Sequence, residues 1–486
     1  MLFATPPFLA FAILTVIATN ASRKGLSNPL LYFSINAVFL ALFLERVEAL
    51  LLIGFTLWGY MMIRVLERRG WSTITFGIVS TLVLFVFLKK YSFLPVEFRL
   101  KNIPVIVGLS YVLFRVIHLL VDIYQEGGCA PSPTRYLNYT LSCFSLISGP
   151  FQQFSEHEAS LYAERSRDPI VDLSRIANGF LKIMILAPLV LNIHLWIKSQ
   201  TEGGVLLGIN VHAISKLLGS GTDAAFVFGS IIGALIWMMF LYLNFSGYTD
   251  VVIGWASLCG LDLPENFNAP IRANSFLDFW NRWHMSMTNW FKTYVFTYSL
   301  KRLTARWPDR RFALFNTVTA FIVTFLLMGL WHGPNWPFAI CGLLLAVGAA
   351  VNHLYKELMR RRLGSRRMDA LRERSCYCMM TVGLTFTYIA VVITPFWMSN
   401  AEYLRLITNL AGPSFAIFVL VCIATGILIQ TSRYIIDSLK GLRNVAKIHG
   451  LAPISASASV AVRFSVLILA ILADYRSVPD FIYKGF

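Results

Sequence analysis

Residues 312–355 read FALFNTVTAFIVTFLLMGLWHGPNWPFAICGLLLAVGAAVNHLY, with no Asp, Glu, Lys or Arg among them. About 20 mainly apolar residues carry a helix across the hydrocarbon core, so this run has room for two crossings. Its middle, Met328 to Pro337, holds the one ionisable side chain at depth, His332. Gly329 and Gly333 allow close backbone approach there, and Pro334 and Pro337 interrupt the helix. Broken, polar backbone at membrane depth survives only if it is packed in protein or faces a water-filled cavity. An ionisable residue in such a place is a functional candidate. The alternative is a hydrogen-bonded histidine at a helix–helix turn.

The same pattern extends outward. Residues 1–22, 25–44, 70–88, 224–249, 375–401 and 406–432 are equally free of formal charge, and 203–222 holds only Lys216. Weaker spans are 49–63, 102–121, 181–197 and 455–475. Across 486 residues, 57% are apolar and 14% charged, whereas soluble domains carry about 25% charged residues. A soluble enzyme and a disordered chain are both excluded. The expectation is an all-α polytopic membrane protein of 11–13 membrane helices in one domain, 1–486, with lipid as its surroundings.

The net charge of +17 sits in short loops between spans, where it sets topology, so no nucleic-acid partner is expected. Arg23/Lys24, Arg64/Arg68/Arg69, the clusters in 301–311 and 360–374, and Arg433 to Lys447 are placed in the cytoplasm, which puts both termini outside. The basic segment from Lys89 and Lys90 to Lys101 resists, because alternation places it outside as well. Nothing basic precedes Arg23, so the N-terminus does not read as a secretory signal. Seven scattered Cys give no disulfide framework, and Cys376 and Cys378 read as helix-packing residues.

Residues 122–175 look most soluble, yet contain an apolar piece, 141–151, too short to span and read as re-entrant or interfacial. Residues 262–275 form a Pro- and Asn-rich loop. No internal repeat is visible, which disfavours repeat-built transporters. Of the eight His, 157 and 449 lie in charged loops, and 118, 194, 212 and 353 read as packing residues. His284 lies in a stretch where Phe276, Trp280, Trp283, Met287, Trp290 and Tyr294 share one helical stripe. Periodicity alone makes that a membrane-surface anchor with His284 merely polar. Imidazole suits acyl transfer, since it takes a proton from a hydroxyl and returns it to a leaving thiolate near neutral pH. No phosphate loop, metal-ligand spacing or serine elbow competes with it.

Five stretches then resemble the membrane-bound O-acyltransferase family. They are Ser-Gly-Pro-Phe at 148–151, Asn-Phe-Ser-Gly-Tyr-Thr-Asp at 244–250, Asn-Phe-Asn-Ala-Pro at 266–270, Phe-Trp-Asn-Arg-Trp-His-Met-Ser at 279–286 and Met-Gly-Leu-Trp-His-Gly at 328–333. The likeness covers about 140–355 and is closest to the bacterial branch of alginate O-acetylation and teichoic-acid D-alanyl transfer proteins. One departure is clear: where alginate-type members carry an acidic residue and a Gly pair, this chain has Thr293 and no glycines before Leu300.

The resemblance implies a bundle with interfacial and re-entrant helices around a central channel, His332 as the invariant histidine and His284 as the second motif position. It implies acyl transfer from a cytoplasmic thioester, with acetyl-CoA and an extracytoplasmic polysaccharide first in order. No bound cofactor is expected, and a partner with a soluble extracytoplasmic acyltransferase domain is. Trp331, Asn281, Trp280, Trp283, Asn335, Asn244, Tyr248 and Asp250 are candidate substrate or channel residues. The tail 480–486, Asp-Phe-Ile-Tyr-Lys-Gly-Phe, resembles an aromatic tail of this branch, which makes Tyr483 a candidate acyl relay or an interface anchor. D-alanyl transfer to teichoic acid, a lipid or solute transporter and a non-catalytic scaffold stand as alternatives, and the expected location is a bacterial inner membrane.

Overall fold

An apolar run crossing a bilayer must satisfy its own N–H and C=O groups, and a helix does so within one segment. The computed structural model describes residues 5–448 except 67–70, 92–93, 96, 98–103, 127–128, 148, 164–167, 203–204, 207–208, 211–222 and 411–413, together with Arg463 and Ser465. Among the described residues seven helices are long and apolar enough to cross: Arg46–Val65, Pro169–Thr201, Ala224–Cys259, Arg310–His332, Trp336–Glu373, Ser375–Phe396 and Phe415–Ser438. Three shorter apolar helices join them, Pro6–Ala21, Pro29–Phe43 and Thr73–Lys89. The protein is all-α and polytopic, and ten of the expected 11–13 apolar helices fall among the described residues.

Three expected spans are not among these ten helices. The expected span 203–222 opens instead with a minimal hairpin, Val205–Leu206 paired antiparallel with Ile209–Asn210, and its remainder lies outside the described residues. The span 455–475 also lies outside them, apart from Arg463 and Ser465. The span 102–121 becomes the helix Leu109–Glu126, which is walled in by protein: Val112, Val116 and Leu120 are wholly buried, as is Arg115.

Arg115 explains the short apolar piece. Residues 141–151 run as turns and irregular chain, nearly all buried. The Arg115 guanidinium donates to the Thr140 carbonyl at 2.7 Å, to the Ser145 carbonyl at 3.2 Å and to the Ser145 hydroxyl. One side chain thereby supplies hydrogen bonds that water cannot supply at this depth.

The 312–355 run folds as the sequence requires, as two helices, Ala313–His332 and Trp336–Glu373. They touch through glycine. A Cβ on Gly329 would lie 2.3 Å from the Phe338 carbonyl oxygen, and one on Gly342 would lie 2.4 Å from that of Phe325. Small residues let membrane helices approach this closely.

The expected helix through His284 is broken. Helix Phe276–Trp280 ends, His284 adopts a left-handed conformation (φ 44°, ψ 52°), and a new helix runs Met285–Trp290. A π-helical turn, Phe291–Thr297, follows. Periodicity gave the right stripe and the wrong neighbour. Phe276, Trp280, Trp283, Met287 and Trp290 are buried in the aromatic core, so this is no surface anchor.

Candidate active site

His332 is the last residue of its helix, followed by extended Gly333. A Cβ at Gly333 would fall 2.1 Å from the Phe338 ring, so the turn is open only to glycine. The imidazole packs on Trp331 (centroids 4.4 Å) and edge-on to Phe396 (5.1 Å). It also lines a cavity of about 20 Å³ with Lys89, Gly108, Ser110, Tyr111, Ile147 and Trp331. That is room for about one water.

The final carbonyls of a helix have no partner within it. Here Tyr91 donates its hydroxyl to the Leu330 carbonyl at 2.9 Å, and Lys89 donates its ammonium to the Trp331 carbonyl at 2.7 Å. Lys89 also reaches the Ser110 hydroxyl at 3.4 Å. The lysine that topology could not place is therefore no loop charge. It ends the helix Trp71–Lys89 and points into the protein beside His332.

His284 is wholly buried, and the motif stretches meet around its turn. The Met285 N–H donates to the Asn266 carbonyl at 2.9 Å, and the Asn268 N–H to the Arg282 carbonyl at 3.0 Å. Ser286 donates its hydroxyl to Asn266 Oδ1 at 2.6 Å and accepts from the Phe151 N–H at 2.9 Å. Phe245 stands edge-on to the His284 ring at 4.7 Å. Burial pushes the His284 imidazole down to about 3, so the ring is neutral at physiological pH.

An aromatic wall joins the two histidines. Phe151 faces His284 at 6.4 Å, stacks on Tyr111 at 4.6 Å and meets Phe114 at 5.1 Å. Phe114 in turn packs on Trp331 at 5.2 Å. Lys89 and His332 line the same cavity.

The other residues singled out from the sequence divide into several groups. Trp331 lines the cavity. Trp280 packs on Phe276, Phe279 and Phe325, and Trp283 stacks on Phe279 at 5.3 Å; both support the His284 turn. Asn244 and Tyr248 are buried one turn apart on helix Asp223–Cys259. Asn281 and Asn335 are exposed at helix ends. Asp250 is held in an ion cluster, 2.6 Å from Lys182 and 3.2 Å from Arg175, which also grips Glu265. Tyr483 lies outside the described residues.

His157 differs from its expected loop setting: it is buried between Tyr32 and Tyr139. Lys89, Ser110 and Tyr111 were missed, and the only sequence signal for them was a basic residue in the wrong place. Among the described residues no His, Cys, Asp or Glu group fits a metal ion.

Comparison with known proteins gives the family. Residues 111–391 match the membrane-bound O-acyltransferase family. A teichoic acid D-alanyltransferase of Bacillus subtilis (strain 168) is 29% identical over 353 residues, 68% of this chain and 82% of that protein. A probable alginate O-acetylase, AlgI, of Azotobacter vinelandii is 29% identical over 257 residues, 50% of this chain and 44% of that protein. A peptidoglycan O-acetyltransferase of Helicobacter pylori is 24% identical over 399 residues, 74% and 72% of the two chains. This chain is a multi-pass membrane acyltransferase and belongs to the membrane-bound O-acyltransferase family.

Proposed function

We propose that this acyltransferase moves an acetyl group from a cytoplasmic thioester, acetyl-CoA first, for O-acylation of an extracytoplasmic polysaccharide. The supporting observation is His332 at a glycine- and proline-broken helix end, beside a polar cavity and packed aromatics. In this reading His332 takes the proton of the attacking hydroxyl and returns it to the leaving thiolate. Neutral His284, across the aromatic wall, positions the donor. Basic loops draw the anionic donor to the cytoplasmic face, and the close packing around His332 keeps water from the thioester. The basic loops support an orientation with both termini outside, and this reading takes the membrane to be a bacterial inner membrane. A partner carrying a soluble acyltransferase domain completes delivery to the polymer.

A second reading, D-alanyl transfer from a carrier protein to teichoic acid, is favoured by the 82% coverage of the Bacillus relative. Incubation of the purified protein with radiolabelled acetyl-CoA or D-alanyl-charged carrier protein separates the two. The acetyl reading expects thioester loss with acetyl-CoA only, with label moving to an added partner, a sugar or Tyr483. Consumption of the D-alanyl donor alone rejects the acetyl reading. Tyr483→Phe with unchanged label transfer rejects the relay.

A further inference from the structure

We propose that Lys89 is a catalytic residue, its ammonium holding the negative oxygen that develops on the donor carbonyl during transfer. The inference rests on His332 as the general base, the reading given above.

An ammonium has three N–H donors. Two of those of Lys89 are held by the Trp331 carbonyl and the Ser110 hydroxyl, and the ammonium also lies 5.6 Å from the centroid of the Phe85 ring. Among the described residues no carbonyl or hydroxyl takes its third N–H, so an oxygen in the cavity that Lys89 shares with His332 can accept it. Among the described residues no carboxylate forms an ion pair with it; the ion pairs lie elsewhere. A buried cation without an anion is costly, and the cost is offset when an anion forms beside it. A helix end would be capped as well by a neutral donor, as Tyr91 caps Leu330, so capping alone does not call for a charge.

Acyl transfer forms that anion. His332 accepts the hydroxyl proton as the alcohol oxygen bonds to the thioester carbon. The carbonyl π pair moves onto its oxygen, which accepts the remaining Lys89 N–H. On collapse the pair re-forms the C=O bond, the C–S bond breaks, and the thiolate takes the proton back from His332. The products are an ester and a thiol, with Lys89 and His332 unchanged. A donor fixed before reaction is the arrangement that stabilises an oxyanion most, because nothing need reorganise. The cavity, with space for one oxygen, suits that atom.

The test uses full-length protein in detergent or nanodiscs, with acetyl-CoA or D-alanyl-charged carrier protein, whichever the wild type consumes. Lys89→Met should lower kcat about 10²–10³-fold with KM for the thioester within about threefold. In Lys89→Ala, added ethylamine should restore part of kcat and ethanol none. Ser110→Ala keeps the charge and the helix cap, and should lower kcat about tenfold by loosening the ammonium. Wild-type kcat in Lys89→Met overturns the proposal. So does a Lys89→Met that does not fold alongside a Ser110→Ala with wild-type kcat, which assigns Lys89 to capping alone. An inactive His332→Gln beside a fully active Lys89→Met rejects this inference only. A fully active His332→Gln, or a wild type that consumes neither thioester, rejects the reading beneath it.

Discussion

His284 pays for its position with backbone strain. A left-handed conformation disfavours residues with a Cβ, and Asn tolerates it better than most. The hydrogen bonds from Met285 and Ser286 to Asn266 hold it there. His284→Asn should therefore unfold within about 1 kcal/mol of wild type, and β-branched His284→Val should lose about 1–3 kcal/mol. Denaturant unfolding in detergent reads both, and equal stability of the two would show that the turn relaxes without cost. At this scale the sequence spoke unevenly. His332 was legible because its Gly and Pro neighbours announce a break inside an apolar run. Lys89 was not, since its partner Trp331 lies 242 residues further on and no local pattern encodes that contact.

At the scale of elements, the pair Ala313–His332 and Trp336–Glu373 sets where His332 stands. Its tightest contacts are backbone on glycine. Gly342→Val should force the helices apart and cost about 1–3 kcal/mol, with transfer falling because the His332 turn moves. A thermal unfolding midpoint in detergent, read beside acyl transfer, checks both; an unshifted midpoint would mean the helices are not packed this closely. The two helices were legible as one uncharged run. Helix Leu109–Glu126 was less so: it reads only as a weaker span, because Arg115 interrupts its apolar run and the buried carbonyls of Thr140 and Ser145 that satisfy the guanidinium lie 25 and 30 residues further on. The stripe through His284 hid its own break, since a single left-handed residue leaves the spacing of the aromatic side chains nearly intact.

At the scale of the whole molecule, distant stretches are tied together around the two histidines. Lys182, Arg175, Asp250 and Glu265 clamp helix Pro169–Leu181 and its π-turn to the long helix Asp223–Cys259 and the loop before the His284 turn. The sequence offered Asp250 as a substrate residue, but its oxygens are taken by these partners. Asp250→Asn should cost about 1–3 kcal/mol of stability, with KM for the donor unchanged. A raised KM at full stability would return Asp250 to the site. The five motif stretches were readable as a set, and the apolar runs as helices. Their convergence was not readable, because it is made by hydrogen bonds such as Phe151 to Ser286, 135 residues apart.

The proposed role of His332, proton transfer between a thioester donor and a hydroxyl acceptor, is open to direct test. Its most direct measurement reconstitutes wild type and His332→Gln in sealed vesicles with acetyl-CoA inside and the acceptor, with its partner protein, outside. Acyl ester should appear outside and thiol inside in a His332-dependent way, with a loss of about 10²-fold or more in the variant at unchanged thermal stability. Equal transfer by a folded His332→Gln would contradict it.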